Sequence, residues 1–321
     1  MSQIASADFW TFVGVVAGIY TIFALGLQVQ FGFTGLLNFG HAAFMAIGAY
    51  TMAILVVKEH WALWTASLAA LGVAVVFGVV LGLPTLRLRA DYFAIVTIAF
   101  SEIIRYAATN EDSLTGGSQG TINLAGQGQA AYYNHTWDRV TTRVDGWLGS
   151  SNRDLAMLVI VWIVALVALV LVRLALRTPW GRVLRSIRED EDAAAALGKP
   201  VFAFKLQALA AGAFLAGLAG LFYAFQFSFF SPNDFDPLTT FFAWTIVILG
   251  GVGRVFAVPL GALVFGVIFA GTRFFDFAPF SWFSSADRAY LRLVVVGLIL
   301  IGLMAFRPQG LAGNRKEMVL E

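Results

Sequence analysis

The chain has 321 residues, of which 59% are hydrophobic and only 12% charged, with a mean hydropathy of +0.80. Soluble domains carry about 25% charged residues, so a water-soluble globular protein is excluded and membrane lipid is the solvent. A net charge of +2 gives no general attraction for nucleic acid, and the absence of cysteine removes disulfides and thiolate metal sites.

The N-terminus lacks the basic stretch of a secretory signal, Asp8 being its only charge, so the first apolar run is read as a retained span. Runs long enough to cross a bilayer fall at 9–29, 33–57, 61–84, 91–108, 154–176, 205–229, 238–252, 255–272 and 289–306. They predict an all-α polytopic membrane protein, one transmembrane domain over 1–321, with about eight to ten membrane helices.

The 33–57 run is long for one helix and contains Gly35, Gly40 and Gly48, just after Gly32. It is expected to hold a half-helix or re-entrant piece before a full span. Irregular backbone persists at membrane depth only where it is buried in protein or lines a cavity. Within it, Asn38 and His41 form a polar, glycine-flanked patch. Two readings stand: lining of a transport path, or close helix packing through small residues.

In 91–108, Glu102 and Arg105 are i,i+3 neighbours on one helical face. If the helix starts near Asp91, Glu102 lies about 16 Å along it, at mid-bilayer depth. A structural ion pair is the expected role, with a gate or substrate contact as alternatives. The polar loop 109–153 follows, long enough to hold a small folded lid.

Residues 177–204 interrupt the apolar pattern. Ser186 and Glu189 are spaced as a capping box, and Glu189, Asp190, Glu191 and Asp192 crowd a first turn, where the helix dipole favours acids. Ala193 to Ala196 follow, then Leu197, with Gly198 at the position of a terminating glycine and Pro200 beyond it. This predicts a bounded helix of about eleven residues, roughly 16 Å long. Its slight apolar face and four acids argue against lying on anionic lipid. A docking helix is favoured over a plain linker.

Further on, the short run 238–252 is broken from the next by Gly250, Gly251, Gly253 and Pro259. Two interrupted segments, one in each half, point to a path between them. Arginine and lysine cluster near 87–89, at 177–205 and in the tail 307–321, which places all three inside and the 109–153 loop outside. Arg273, Arg288 and Arg292 flank a loop assigned outside and pull against this. The side of the N-terminus stays open, since no lysine or arginine precedes Lys58.

No phosphate-binding G-x-x-x-x-G-K-[ST] occurs, because Pro200 follows Gly198 and Lys199. Three histidines, no cysteine and no clustered membrane carboxylates disfavour a metal site, a catalytic centre and a proton relay. A transport protein with a docking helix and no evident internal energy source suggests an external motor.

Six stretches together resemble the LivM-type permeases of bacterial branched-chain amino-acid ABC importers. They are T-G-L-L-N-F-G-H-A-A-F-M-A-I-G-A-Y-T (34–51), L-R-L-R-A-D-Y-F-A-I-V-T-I-A-F-S-E-I-I-R (86–105) and L-T-G-G-S-Q-G (114–120), then G-R-V-L-R-S-I-R-E-D-E-D-A-A-A-A-L-G (181–198), I-L-G-G-V-G (248–253) and F-R-P-Q-G-L (306–311). The resemblance implies a multi-pass permease in the bacterial plasma (inner) membrane, its C-terminus cytoplasmic. It implies a homologous second permease, two cytoplasmic ATPase subunits that carry the ATP and Mg, and an external solute-binding protein. It implies no cofactor on this chain. Importer permeases carry E-A-A-x-x-x-G at their ATPase contact; Asp192, Ala193, Ala194 and Gly198 match it with Asp in place of Glu. Ser186, Glu189, Glu191 and Leu197 complete the expected contact. Candidate path residues are Asn38, Phe39, Gly40, His41 and Tyr50, with Gly250, Gly251 and Gly253. Related permeases for urea, short amides or other amino acids are alternatives, and a motor-independent carrier or channel is the rival from another class.

Overall fold

The computed structural model describes residues 7–124, 132–148, 153–271, 294, 297–298, 301–302, 305–306 and 309–312. Helices make up most of these, with no strand among the described residues. In chain order they are α1 (Ala7–Leu27), continued by a π-helical turn (Gln28–Gly32), α2 (His41–Val57), α3 (Leu63–Thr85) and α4 (Ala90–Asn110). The short α5 (Asp112–Thr115) and α6 (Thr121–Leu124) precede α7 (Tyr132–Leu148) and α8 (Arg153–Arg177). Then come α9 (Pro179–Glu189), α10 (Glu191–Ala196), α11 (Val201–Phe227), α12 (Pro237–Gly250) and α13 (Ala257–Gly271).

With its π turn, α1 is long and apolar enough to cross a membrane, as are α3, α4, α8 and α11; α2, α12 and α13 are shorter apolar helices. This is the expected all-α polytopic fold. Most of the expected 289–306 span lies outside the described residues, as do Arg273, Arg288, Arg292 and the tail's Arg307, Arg315 and Lys316. The 109–153 loop is largely helical where described, and Trp137 of α7 stacks on Phe225 of α11 at 4.2 Å.

A helix that is apolar all round is a buried helix. Accordingly α1 is the central pillar, enclosed by α8, α11, α12 and α13. The outer helices α3, α4 and α8 turn Leu68, Val80, Ile95, Ile103, Leu166 and Leu171 outward, as lipid contact requires. Apolar burial offers little drive for helix association in lipid, so small residues that permit close packing take over. On α11, Ala208, Gly212, Ala216, Gly220 and Ala224 form a buried i,i+4 row. A Cβ on Gly220 would lie 2.1 Å from the carbonyl oxygen of Met45, so α2 meets α11 backbone to backbone.

Contacts between elements fix which helix ends lie together. Trp162 of α8 donates to the Gly14 carbonyl of α1 at 2.9 Å, and Arg105 of α4 donates to Asn233, just before α12, at 3.1 Å. The starts of α1, α8 and α12 thus share one end with the C-termini of α2, α4 and α11. At the other end, Gln28 donates to the Gly251 carbonyl at 3.2 Å, and the backbone amides of Leu311 and Ala312 donate to Leu249 and Gly250. That end carries Arg87, Arg89, Arg177, Arg182, Arg185 and Arg254 and is termed the basic end. Ala7 lies opposite it, so α1 runs toward the basic end and 309–312 sit on that end.

Candidate functional site

The 33–57 segment is interrupted, as its glycines suggested. After the π turn at the basic end, residues 35–40 run without helix into the bundle, and α2 begins at His41 beside Phe23 of α1. Every polar group freed by such a break needs a partner at this depth. Side chains supply them. The Phe39 amide donates to Thr97 Oγ1 of α4 at 3.0 Å, and the Ala42 amide to Thr240 Oγ1 of α12 at 2.9 Å. Trp244 Nε1 donates to the Asn38 carbonyl at 3.1 Å. Asn38 Nδ2 donates to Gln30 Oε1 at 2.9 Å, while Gln30 Nε2 donates to the Leu209 carbonyl of α11 at 3.1 Å. The break is therefore bonded to α4, α11 and α12 at once.

The expected path residues separate by position. Asn38 and His41 are fully buried, and His41 Nε2 donates to the Phe23 carbonyl at 3.1 Å. Gly40 lets the start of α2 press on α4, since a Cβ there would lie 2.0 Å from the Thr97 oxygen. Phe39 is half-buried; it stacks on Trp244 at 4.8 Å and meets the exposed Phe241 at 5.5 Å. Tyr50 packs edge-on against Phe230 at 5.0 Å, toward the end away from the basic one. Gly250, Gly251 and Gly253 form the turn from α12 to α13 at the basic end, tied by Gln28 to the π turn that precedes the break.

The docking segment differs from its expected form. It is two helices, not one of eleven residues starting at Ser186. Pro179 opens α9 seven residues before Ser186, because proline suits the first helical position. Ser186 lies inside α9 and donates to the Val183 carbonyl at 2.9 Å, so the Ser186–Glu189 capping box does not form. Asp190 breaks the chain in extended conformation and caps α10, accepting from the Ala193 amide at 2.9 Å. The stop is as expected: Gly198 has φ of +76°, its amide donates to Ala195, and Lys199 donates to Ala194.

On this hairpin Glu189, Asp192, Ala193 and Leu197 are exposed, and Leu197 is 78% accessible despite being apolar. Ala194 instead packs inward against Ile187 and Val201, so it holds the hairpin together rather than facing out. Glu191 forms an ion pair with Lys205 of α11.

Arg188 joins the hairpin to the π turn and the α12–α13 turn. Its Nη1 donates to the Gly32 carbonyl at 2.6 Å, where the π turn ends. The same guanidinium adjoins Gly253, whose φ is +81°. A polar cavity of about 280 Å³ lies beside this joint, lined by Thr34, Leu37, Arg89, Ile187, Arg188 and Lys205. Arg188 and Thr97 lie inside the family-like stretches but were not singled out there, and Gln28, Gln30, Thr240 and Trp244 complete the site outside any of them. The available signal was two amides in an apolar run, L-Q-V-Q-F at 27–31.

The Glu102–Arg105 pair forms at 2.7 Å, both side chains partly open. Phe100, on one flank of α4, meets Phe77 of α3, whereas Arg105, on the other, reaches Asn233 before α12. The pair therefore stands on the α12 side of α4, the side on which Phe39 and Phe241 are open.

A family model described as branched-chain amino acid transport system / permease component matches residues 10–304. The chain is 34% identical to the high-affinity branched-chain amino acid transport system permease protein LivM of Salmonella typhimurium, over 93% of this chain and 69% of that protein. It is 25% identical to the probable branched-chain amino acid transport permease protein LivM of Methanocaldococcus jannaschii, over 95% and 94%. It is 24% identical to the permease protein LivH of the Salmonella typhimurium system, over 80% and 82%. No solved structure matches the chain.

Proposed function

The chain belongs to the branched-chain amino acid transport permease family, and we propose that it works as the membrane-spanning permease subunit of an ATP-driven importer for branched-chain amino acids. It is a multi-pass membrane protein. Likeness to both LivM and LivH supports a pair of homologous permeases. Two cytoplasmic ATPase subunits, holding ATP and Mg, and an external solute-binding protein complete the complex. The basic end then faces the cytoplasm, following the positive-inside bias, and the C-terminal residues 309–312 with it.

The observation that carries the mechanism is the Arg188 bond to Gly32. The α9–α10 hairpin presents Leu197, Asp192 and Glu189 to an ATPase subunit. Closure of the motors displaces the hairpin. Arg188 passes that displacement to the π turn and the Gly251–Gly253 turn, and so to the foot of the broken segment. An effector shifts a two-state element only through differential contacts, and this joint supplies one.

The path runs along the face between α4 and α12, where Phe39 and Phe241 offer apolar contact to a branched side chain. A partly open ion pair facing lipid is costly, which supports Glu102 and Arg105 meeting the second permease there. Phe39 lines the path directly, while Asn38, Gly40 and His41 hold it in place from behind.

Reconstitution tests this reading. The purified complex in vesicles should take up labelled leucine only with ATP inside and binding protein outside. Uptake by the permease alone would favour a motor-independent carrier.

A further inference from the structure

Another cavity, of about 450 Å³, opens at the basic end between α8, α9 and the start of α13. Arg173, Arg177, Arg185 and Arg254 line it, and among the described residues no carboxylate does. None of these four is in an ion pair among the described residues. Three are held by neutral groups: Arg173 lies over the Phe256 ring at 4.2 Å, Arg185 Nη2 donates to the Leu176 carbonyl at 3.5 Å, and Arg254 donates to the Ala312 carbonyl at 2.7 Å. Cation–π and carbonyl contacts orient a guanidinium without neutralising it. The cavity thus concentrates positive charge that the described chain leaves unbalanced.

Its depth selects the partner. Arg173 lies four residues before Arg177, the end of α8, and so about 6 Å inside the helix terminus. It is flanked by Leu171 and Leu174, both turned outward. From the cavity an apolar strip continues away from the basic end. Phe256, Leu260, Leu263, Val264 and Val267 are all partly exposed and recur at helical spacing over about 16 Å. Basic pockets between membrane helices, set at headgroup level, suit acidic lipid. An acidic segment of a soluble protein would satisfy the arginines but would leave the strip unused.

We infer that this cavity binds the headgroup of an anionic phospholipid, whose acyl chains lie along the Phe256–Val267 face. The site is separate from the α4–α12 face and does not depend on the transport reading. It adjoins Gly253 and Arg185, so a bound lipid braces the joint between the hairpin and the α12–α13 turn.

The test uses the purified full-length protein in neutral detergent, with native mass spectrometry counting retained lipid. Phosphatidylglycerol should be retained over phosphatidylcholine. Arg173→Gln/Arg177→Gln should lower retention roughly 30-fold, from two lost charges. Arg139→Gln/Arg143→Gln, at the opposite end, should leave it unchanged. Should the double glutamine variant fail to fold, Arg254→Gln alone should still reduce retention. Equal retention of both lipids, or loss in the control, would overturn the proposal. So would displacement by millimolar inorganic phosphate, which would mark a free-anion site. An ATPase subunit that abolishes lipid retention, and whose own binding needs Arg173 and Arg177, would assign the surface to protein instead.

Discussion

Arg188 Nη1 and the carbonyl oxygen of Gly32 are 2.6 Å apart, although 156 residues separate them in the chain. The bond ties an exposed hairpin to the end of the most buried helix, beside the turn that follows α12. A hydrogen bond to a charged group contributes about 1.5–3 kcal/mol. Arg188→Gln should therefore lower leucine uptake by about tenfold or more, while the complex assembles and still hydrolyses ATP. Parallel uptake and ATPase assays on one preparation separate this from simple misfolding, which would lower both.

At Gly198 two substitutions should part company. A Cβ there meets nothing within 4 Å, so Gly198→Ala encounters only the left-handed backbone, about 1 kcal/mol. Uptake should stay near that of the parent protein. Gly198→Pro cannot adopt a φ of +76° and removes the amide that donates to Ala195. It should abolish uptake with normal membrane insertion, seen as equal protein in washed membranes.

Helix packing gives a matched pair. Gly220→Val places a Cβ 2.1 Å from the Met45 carbonyl oxygen, well inside contact distance, and should lower the melting temperature in detergent by several degrees or prevent folding. Gly72→Ala meets nothing within 4 Å and sits inside α3, so it should melt at or above the parent temperature.

Glu102→Ala strips Arg105 of its carboxylate and leaves it, among the described residues, with Asn233 and the Tyr106 ring. Breaking a pair by removing one partner is worse than removing both. Glu102→Ala should thus reduce co-purification of the second permease more than Glu102→Gln/Arg105→Gln does. A change in amino-acid preference with normal assembly would place Glu102 among substrate contacts instead.

Apolar length alone locates the spans: the 91–108 run became Ala90–Asn110, and the 154–176 run became Arg153–Arg177. Glycine density also marks the break ahead of His41. Where local spacing met tertiary structure, the reading failed. Ser186 and Glu189 imitate a capping box, but Pro179 had already started the helix, and Asp190 was the real cap. Ala194 looked available for docking until Ile187 and Val201 enclosed it. Arg188 was indistinguishable from its basic neighbours, because its partner is a backbone carbonyl that no side-chain pattern announces. Phe39 and Tyr50 lie in one motif, yet only folding shows that they face different surroundings.

The α9–α10 hairpin is proposed to meet a cytoplasmic motor. The chain has no cysteine, so Leu197→Cys introduces a single reporter at an exposed position. In intact cells a membrane-impermeant maleimide should leave it unlabelled, while in inside-out vesicles it should react. In the purified complex a short crosslinker should join it to the ATPase subunit. Labelling from outside intact cells, or a complex active in transport with no crosslink to the ATPase, would rule out that contact.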